Sequence, residues 1–179
     1  MSPCLRCGKG HELVKSIKTA KGLLLRPASA TDATFAGRLL KDPAVRQFLG
    51  GPLPDESLSV ASRNAVLPDE GERIWIVEST GFSPLGLISL TRHKNGEDIE
   101  LSYQFAPDHW GKGFAFDAGR TALAYGFQQL ALPRIIAETQ AANRRSIRLL
   151  TRLGLRPYAE VMRFGAAQVL FQIRPDAIA

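Results

Sequence analysis

Apolar and polar residues alternate along some stretches of this chain and follow a helical period along others. Short runs rich in aliphatic and aromatic residues predict strands at 23–27, 73–78, 85–91, 99–105, 134–139, 158–164 and 167–173. Stretches with apolar residues on one helical face predict helices at 32–40, 45–49, 58–66, 114–130 and 143–153. The pair Asn95-Gly96 predicts a tight hairpin turn between two of the strands.

The order of these elements predicts the fold class. Antiparallel hairpins come first and a β-α-β-α-β-β succession follows, which is typical of a mixed α/β (α+β) fold with helices on the faces of one sheet. The chain of 179 residues is long enough for one such domain with a real core. We expect this domain to span residues 22–175, and residues 1–21 to form a mobile, basic N-terminal tail.

The net charge of the chain is concentrated in that tail. Residues 1–21 hold five Lys or Arg and one Glu, and so carry +4 of the net charge of +6. The rest of the chain is nearly balanced and has no basic stripe interleaved with aromatic residues, which argues against a nucleic-acid partner. No apolar run approaches the ~20 residues of a membrane span, and no secretory leader is recognisable. We therefore expect a cytoplasmic protein with no membrane partner.

The two cysteines of the chain, Cys4 and Cys7, form a C-x-x-C pair with His11 four residues further on. The arrangement is similar to half of a structural zinc site, which needs four ligands. The second half is missing, and within one chain only His93 or His109 could complete the set. We expect reduced cysteines in a mobile tail and no metal.

The stretch Gly111-Lys112-Gly113 follows a predicted strand and opens a predicted helix. The first turn of a helix leaves unpaired N–H groups and a positive dipole end, and glycine lets an anion approach them closely. A pyrophosphate is the natural ligand of such a loop. A dinucleotide fingerprint would require glycine where Phe116 stands, and a P-loop would require glycine where Ala106 stands. The remaining alternative is a glycine loop that only starts a helix.

A second segment, Asn143-Arg144-Arg145-Ser146, opens a helix that ends in Leu153-Gly154-Leu155. Together with Trp110-Gly111-Lys112-Gly113-Phe114-Ala115, it resembles the paired motifs of the GNAT superfamily of N-acetyltransferases. Within that superfamily the chain resembles the branch of the ribosomal-protein N-acetyltransferases, over residues 23–173. Trp110 departs from the Gln or Arg that other GNAT enzymes carry at this position.

The resemblance implies a GNAT-like fold with a central, mostly antiparallel sheet, and acetyl-CoA as cosubstrate. It implies that the pyrophosphate binds to the loop residues Gly111, Lys112, Gly113, Phe114 and Ala115. Gln104 and Phe105 would pair with the pantetheine arm in a gap between their strand and the strand at 134–139. Asn143 would hydrogen-bond the same arm.

Two residues are candidates for catalysis. Ser146 would lie near the cofactor sulfur according to the resemblance, and would replace the general-acid tyrosine that many GNAT enzymes carry where Leu150 stands. The alternative is that Ser146 only caps its helix. Glu100 is the candidate base for the amine, with a solvated strand residue as the alternative and His93 and His109 as rivals.

These observations predict an N-acetyltransferase that moves an acetyl group from acetyl-CoA directly to a primary amine, on a protein N-terminus or a small molecule. The alternative is a non-catalytic protein of the same fold that binds CoA, a partner or RNA. Arg144, Arg148 and Arg152 recur every four residues, and we interpret them as a solvated helix face rather than a phosphate site. We expect a monomer or a homodimer.

Overall fold

The computed structural model describes residues 15–79, 81 and 83–177. The strands are β1 (Ile17–Lys18), β2 (Leu24–Pro27), β3 (Arg73–Glu78), β4 (Pro84–Arg92), β5 (Ile99–Phe105), β6 (Ile135–Gln140), β7 (Arg156–Arg163) and β8 (Ala166–Ile173). The helices are α1 (Ala33–Lys41), α2 (Pro43–Arg46), α3 (Asp55–Asn64), α4 (Phe114–Gln128) and α5 (Arg144–Arg152).

The eight strands form one sheet, in the order β1-β2-β3-β4-β5-β6-β8-β7. Neighbouring strands are antiparallel except β5 and β6, which run parallel. β4 and β5 form the predicted hairpin, in which Gly96 has a φ of 77° and donates its N–H to the carbonyl of His93 at 2.9 Å. The predicted mixed sheet, mostly antiparallel and flanked by helices, is confirmed.

Helices cover both faces of the sheet. α4 and α5 pack on one face, where they bury Leu123 and Leu150. α1 packs on the other face, where it buries Phe35. The alternation of side chains along β3 produces this division, since Trp75 belongs to the core under α4 and Ile76 to the core under α1.

Local signals set the limits of α5. Asn143 precedes the helix, and its Oδ1 accepts a hydrogen bond from the backbone N–H of Ser146 at 3.1 Å, as an N-cap residue does. Gly154 follows the helix with a φ of 89°, the left-handed conformation that often ends helices. Between them, Ile147 and Leu150 face the core. The predicted helix is therefore confirmed.

Two other helices lie a few residues before their predicted positions. The helix expected at 45–49 is α2, which begins at Pro43 because the Oδ1 of Asp42 accepts the backbone N–H of Ala44 at 2.8 Å. The helix expected at 58–66 is α3, which begins directly after Pro54. In both cases the prediction followed the apolar residues, whereas capping and proline geometry set the first turn.

The first described residues belong to the fold. β1 pairs antiparallel with β2, and Thr19 is buried in the turn between them. The backbone N–H of Lys21 donates to Oδ2 of Asp117 on α4 at 3.2 Å. The folded region therefore begins before the boundary expected at Gly22. Backbone hydrogen bonds hold these residues in place, and their sequence has no apolar periodicity from which this could have been predicted. Residues 1–14 lie outside the described residues, and the tail predicted there stays a prediction.

Candidate active site

β5 and β6 separate soon after they begin. They pair at only two positions, Ile99 with Ile135 and Glu100 with Ile136. Beyond Glu100, β5 remains paired with β4 and β6 remains paired with β8, but among the described residues neither pairs with the other. The resulting gap lies inside the sheet, where an extended group can take the place of a strand.

The glycine-rich loop follows the end of β5. Gly111 and Gly113 have φ angles of 75° and 78°, in the left-handed region that favours glycine. Gly113 is the N-cap residue of α4, so the first-turn N–H groups of that helix face the loop. The indole Nε1 of Trp110 donates to the carbonyl of Phe105 at 2.8 Å and fixes the loop against the strand. The loop thus has the backbone conformation that an anion site at a helix start requires.

A lysine from the N-terminal segment lies over this loop. The ammonium nitrogen of Lys21 is 3.0 Å from the position that a Cβ on Gly113 would occupy. Lys21 is exposed and forms no salt bridge with any described residue. Together with the exposed Lys112, it adds positive charge where a pyrophosphate would bind.

Two arginines of α5 lie over aromatic rings beside the same loop. The guanidinium carbon of Arg145 is 5.0 Å from the ring centroid of Trp110, and that of Arg152 is 4.7 Å from the ring centroid of Phe116. Arg144, Arg148 and Arg152 are all exposed, as the interpretation of a solvated helix face requires, although Arg152 also lies over a ring of α4. The other two arginines of the predicted face line a separate cavity of about 270 Å³: Arg144 and Arg148.

Asn143 and Ser146 have different roles in α5. Asn143 caps the helix through its Oδ1, and its side-chain amide NH₂ makes no hydrogen bond with a described residue. The hydroxyl of Ser146 lies 2.7 Å from the hydroxyl of Tyr103 on β5. The alternative that Ser146 merely caps the helix is wrong, because Asn143 does so.

A cavity of about 380 Å³ opens where β5 and β6 separate, and we name it the acceptor cavity after the amine acceptor that the sequence predicts. Its lining comes from both strands, from β8, from the end of α2, from the loop before α3 and from two turns between strands: Arg46, Phe48, Leu49, Gly50, Lys94, Glu100, Glu138, Thr139, Gln140, Phe164 and Gln168. Phe164 is 72% exposed, and the ammonium nitrogen of Lys94 lies 3.6 Å from the centroid of its ring. The cavity has the size of a site for a small molecule.

Glu100 is a half-buried carboxyl group in this cavity. One of its oxygens accepts the backbone N–H of Glu138 at 3.3 Å, and it forms no salt bridge with any described residue. Burial raises the pKa of Glu100 above its usual value, although the charges of His93 and Lys94 oppose the shift. The alternative of a solvated strand residue is therefore wrong, and the site holds a carboxyl group able to bind an ammonium or accept a proton from an amine.

The two rival histidines are engaged elsewhere. His93 is 3% exposed, and its Nε2 lies 2.9 Å from a carboxylate oxygen of Glu138, which also accepts a hydrogen bond from Arg163 at 2.8 Å. His93 is not among the residues that line the acceptor cavity. His109 lies beside the glycine loop, with its ring centroid 6.4 Å from that of Phe114. Of the three candidates for the base, Glu100 is thus the one that lines the cavity.

The site residues follow β5 in order. Glu100 faces the acceptor cavity, Tyr103 and Ser146 meet beside the gap, and Gln104 and Phe105 lead into the glycine loop. Sequence reasoning missed Tyr103, Glu138 and Lys21. Tyr103 stands between two predicted site residues, but no local pattern indicates its partner, which is 43 positions away.

The half zinc motif cannot be placed in this site. Cys4, Cys7 and His11 lie outside the described residues. Within residues 15–79, 81 and 83–177, no group of three or more His, Cys, Asp or Glu side chains is arranged to hold a metal ion.

Over the same part of the chain, none of the helices combines the length and the apolar character that crossing a bilayer requires.

Comparison with known proteins shows which family this chain resembles in sequence. Residues 22–156 match the family model described as an acetyltransferase (GNAT) domain. The uncharacterized N-acetyltransferase YoaA of Bacillus subtilis (strain 168) is 39% identical over 141 residues, which are 74% of this chain and 78% of YoaA. The spermidine N(1)-acetyltransferase of Escherichia coli (strain K12) is 24% identical over 146 residues, which are 80% of this chain and 78% of that enzyme.

The fold is also similar to that of solved structures. The spermidine N-acetyltransferase of Vibrio cholerae, in complex with CoA and spermine, superimposes with a TM-score of 0.74 at 22% identity. The superposition covers 87% of this chain and 97% of the Vibrio chain.

Proposed function

The chain belongs to the GNAT acetyltransferase family, and we propose that it transfers the acetyl group of acetyl-CoA directly to a small-molecule primary amine. As a member of this family, it is an acetyl-CoA-dependent acetyltransferase. The predicted enzyme class and cosubstrate are thereby confirmed. The proposal adds the acceptor and the residues that act on it.

The observation that carries the proposal is the position of Glu100 in the acceptor cavity. The cavity of about 380 Å³ suits a small molecule, and Glu100 is a carboxyl group without a cationic partner among the described residues. A second carboxylate, Glu138, lines the same cavity but already forms a salt bridge with Arg163. Arg46 and Lys94 also line the cavity, but neither forms a salt bridge with Glu100, so a protonated amine would be its ion-pair partner. The relatives named for spermidine, a small polyamine, support an acceptor of this class.

The residues around the gap fit acetyl-CoA as the acetyl donor. We assign the pyrophosphate to the loop Gly111–Ala115, whose backbone conformation suits an anion. The gap between β5 and β6 accommodates the pantetheine arm beside Gln104 and Phe105, and the side-chain NH₂ of Asn143 can donate to it. This arrangement would bring the thioester to the boundary between Ser146 and the acceptor cavity.

On the acceptor side, Glu100 prepares the nucleophile. An ammonium group has no lone pair, so the amine must lose one proton before it attacks the thioester carbonyl, and the nitrogen must lose a second proton as the amide forms. The raised pKa of Glu100 makes its carboxylate a stronger base than an exposed glutamate. Glu100 therefore takes a proton from the amine as the nitrogen–carbon bond forms.

On the cofactor side, Ser146 assists the leaving group. As the carbon–sulfur bond breaks, the electron pair remains on sulfur, and the Ser146 hydroxyl donates a hydrogen bond to the developing thiolate. Leu150 is 1% exposed and has no polar atom for this task. Holding the amine and the thioester together supplies most of the rate enhancement.

The acceptor class is tested by following thiol release from acetyl-CoA with a panel of amines. The panel contains a polyamine, an amino acid, a monoamine and a peptide with a free N-terminus, with a no-acceptor control. We expect turnover with a small amine and an acetylated product by mass spectrometry. Faster turnover of the peptide than of every small amine would overturn the proposed acceptor. Absence of turnover in a protein that binds CoA would overturn the proposed function.

A further inference from the structure

We propose that Tyr103 is a positioning residue for acetyl transfer, holding the Ser146 hydroxyl so that its O–H points at the sulfur of CoA. The inference rests on the proposed function, which places Ser146 beside the thioester. Tyr103 and Ser146 then act as one unit, in which the serine contacts the reacting atoms and the tyrosine does not.

The geometry sets this hydroxyl pair apart from ordinary helix contacts. A serine or threonine in a helix commonly donates its hydroxyl to the carbonyl four residues earlier. Thr151 does so within α5, with its Oγ1 3.0 Å from the carbonyl of Ile147. Ser146 instead has its Oγ 2.7 Å from the hydroxyl oxygen of Tyr103, across the space between α5 and β5.

Tyr103 stands at the place where the sheet opens. It lies three residues beyond Glu100, the last β5 residue that pairs with β6. Its side chain packs against the core under α4 and α5, on the face of β5 opposite to Glu100. Glu100 and the hydroxyl pair therefore lie on opposite faces of the sheet beside the gap, so they can approach the amine and the sulfur from different directions.

The proton chemistry of the pair identifies the donor. Two hydroxyl groups that share one hydrogen bond have two hydrogens, so one O–H remains available to a third group. Burial raises the pKa of Tyr103 to about 12, and the phenol therefore remains protonated at neutral pH. A phenol is also a stronger hydrogen-bond donor than an aliphatic hydroxyl. Tyr103 accordingly donates to Ser146, and the Ser146 O–H is the hydrogen left for sulfur.

The reaction balances without consuming either hydroxyl. The bound ammonium first releases one proton through Glu100 to the solvent; the nitrogen–carbon bond then forms, the carbon–sulfur bond breaks, and a second amine proton passes to Glu100. The thiolate leaves stabilised by the Ser146 O–H and takes its proton from water. Tyr103 keeps its proton throughout, so the pair contributes through hydrogen bonding in the transition state.

The test compares Tyr103→Phe, Ser146→Ala and the double variant with the wild type. Each single change should lower kcat roughly ten- to hundredfold and leave the KM for acetyl-CoA within about twofold, because the lost interaction strengthens only in the transition state. The double variant should be no slower than Ser146→Ala, because the two groups act as a unit. Ser146→Thr keeps the hydroxyl and should retain most of the activity.

Tyr125→Phe is the matched control. Tyr125 is also packed in the core, where its hydroxyl lies 3.3 Å from Nε of Arg73, but it does not contact the site. Loss of the Tyr125 hydroxyl should change thermal stability as much as loss of the Tyr103 hydroxyl does, and should leave kcat unchanged. A wild-type kcat in Tyr103→Phe, or additive losses in the double variant, would overturn the inference. If the wild type itself acetylates no amine, the proposed function fails instead.

Discussion

At the scale of single residues, the surroundings of Glu100 alter its chemistry, because burial raises its pKa. We expect Glu100→Gln to lower kcat/KM by about 10²- to 10⁴-fold at a pH where the wild-type carboxyl is ionised. Since burial raises the pKa of Glu100, the wild-type rate should fall at a higher pH than an exposed glutamate would produce. The rate of the variant should not show this fall. The rates of the variant and the wild type should therefore converge as the pH drops below the raised pKa of Glu100.

A pH–rate profile with a fixed acceptor measures this effect. Glu160→Gln removes an exposed carboxyl of β7 and serves as the control, which should follow the wild-type profile. An unaltered profile in Glu100→Gln would remove Glu100 as the base.

The same carboxyl group should reduce stability at neutral pH. Its folded pKa is raised, so the folded state binds the proton more tightly than the unfolded state does. Stability is therefore lost as the pH rises from the unfolded pKa through the folded pKa. We expect Glu100→Gln to unfold at higher urea concentration than the wild type at pH 7, and the difference to vanish below about pH 4, where both states are protonated. If the variant still unfolds at higher urea concentration than the wild type at low pH, packing rather than the charge of Glu100 causes the difference in stability.

At the scale of elements, the glycine loop before α4 depends on a backbone conformation. Gly113→Ala forces a side chain into a φ of 78°, and its Cβ would approach the Lys21 ammonium. We expect CoA affinity to fall about tenfold, which corresponds to ~1.4 kcal/mol. Gly71→Ala is the control, since Gly71 has a φ of 85° with open space around it, outside the loop. It should lose a similar amount of stability and no affinity, as calorimetry can measure.

The turn between β1 and β2 positions Lys21 over the glycine loop, and this leads to a separate prediction. Lys21→Ala should weaken CoA binding about threefold to tenfold at low salt and less at high salt, since exposed charges are screened. Lys18→Ala removes the same charge from an exposed position on β1 and should have little effect. Equal losses of CoA affinity in both variants would indicate general electrostatic attraction of CoA rather than contact with Lys21.

Deletion of residues 1–14 should leave CoA affinity intact, whereas deletion through Lys21 should not.

Elements with strong hydrophobic periodicity, or with clear turn and capping residues at their ends, could be predicted from the sequence. The hairpin at Asn95-Gly96 and the limits of α5 follow from turn and capping residues that act locally. β1 could not be predicted, because a two-residue strand is stabilised by its pairing with β2 and has no periodicity of its own. The pairing of Ser146 with Tyr103 was hidden for a related reason, since tertiary packing creates it.

At the scale of the whole molecule, two motifs were sufficient to predict the family. The GNAT membership is confirmed by the family model that residues 22–156 match. The ribosomal-protein branch stays a prediction, as do the cytoplasmic location and a monomeric or homodimeric state. The identity of the acceptor could not be predicted, because the cavity that we propose for it gathers residues from strands, turns, a helix end and a loop far apart in the chain.

The brief pairing of β5 with β6 has a consequence for the lifetime of the protein. Only two residue pairs join the two parts of the sheet, so a pantetheine arm in the gap would serve as a removable ninth strand. At 100 times its Kd, CoA should add ~2.7 kcal/mol to the free energy of unfolding. Amide hydrogen exchange should slow at 101–105 and 137–140 when CoA is added, and protection confined to the glycine loop would contradict this. Because proteases act on opened molecules, the survival of the enzyme would then follow the supply of its own cosubstrate.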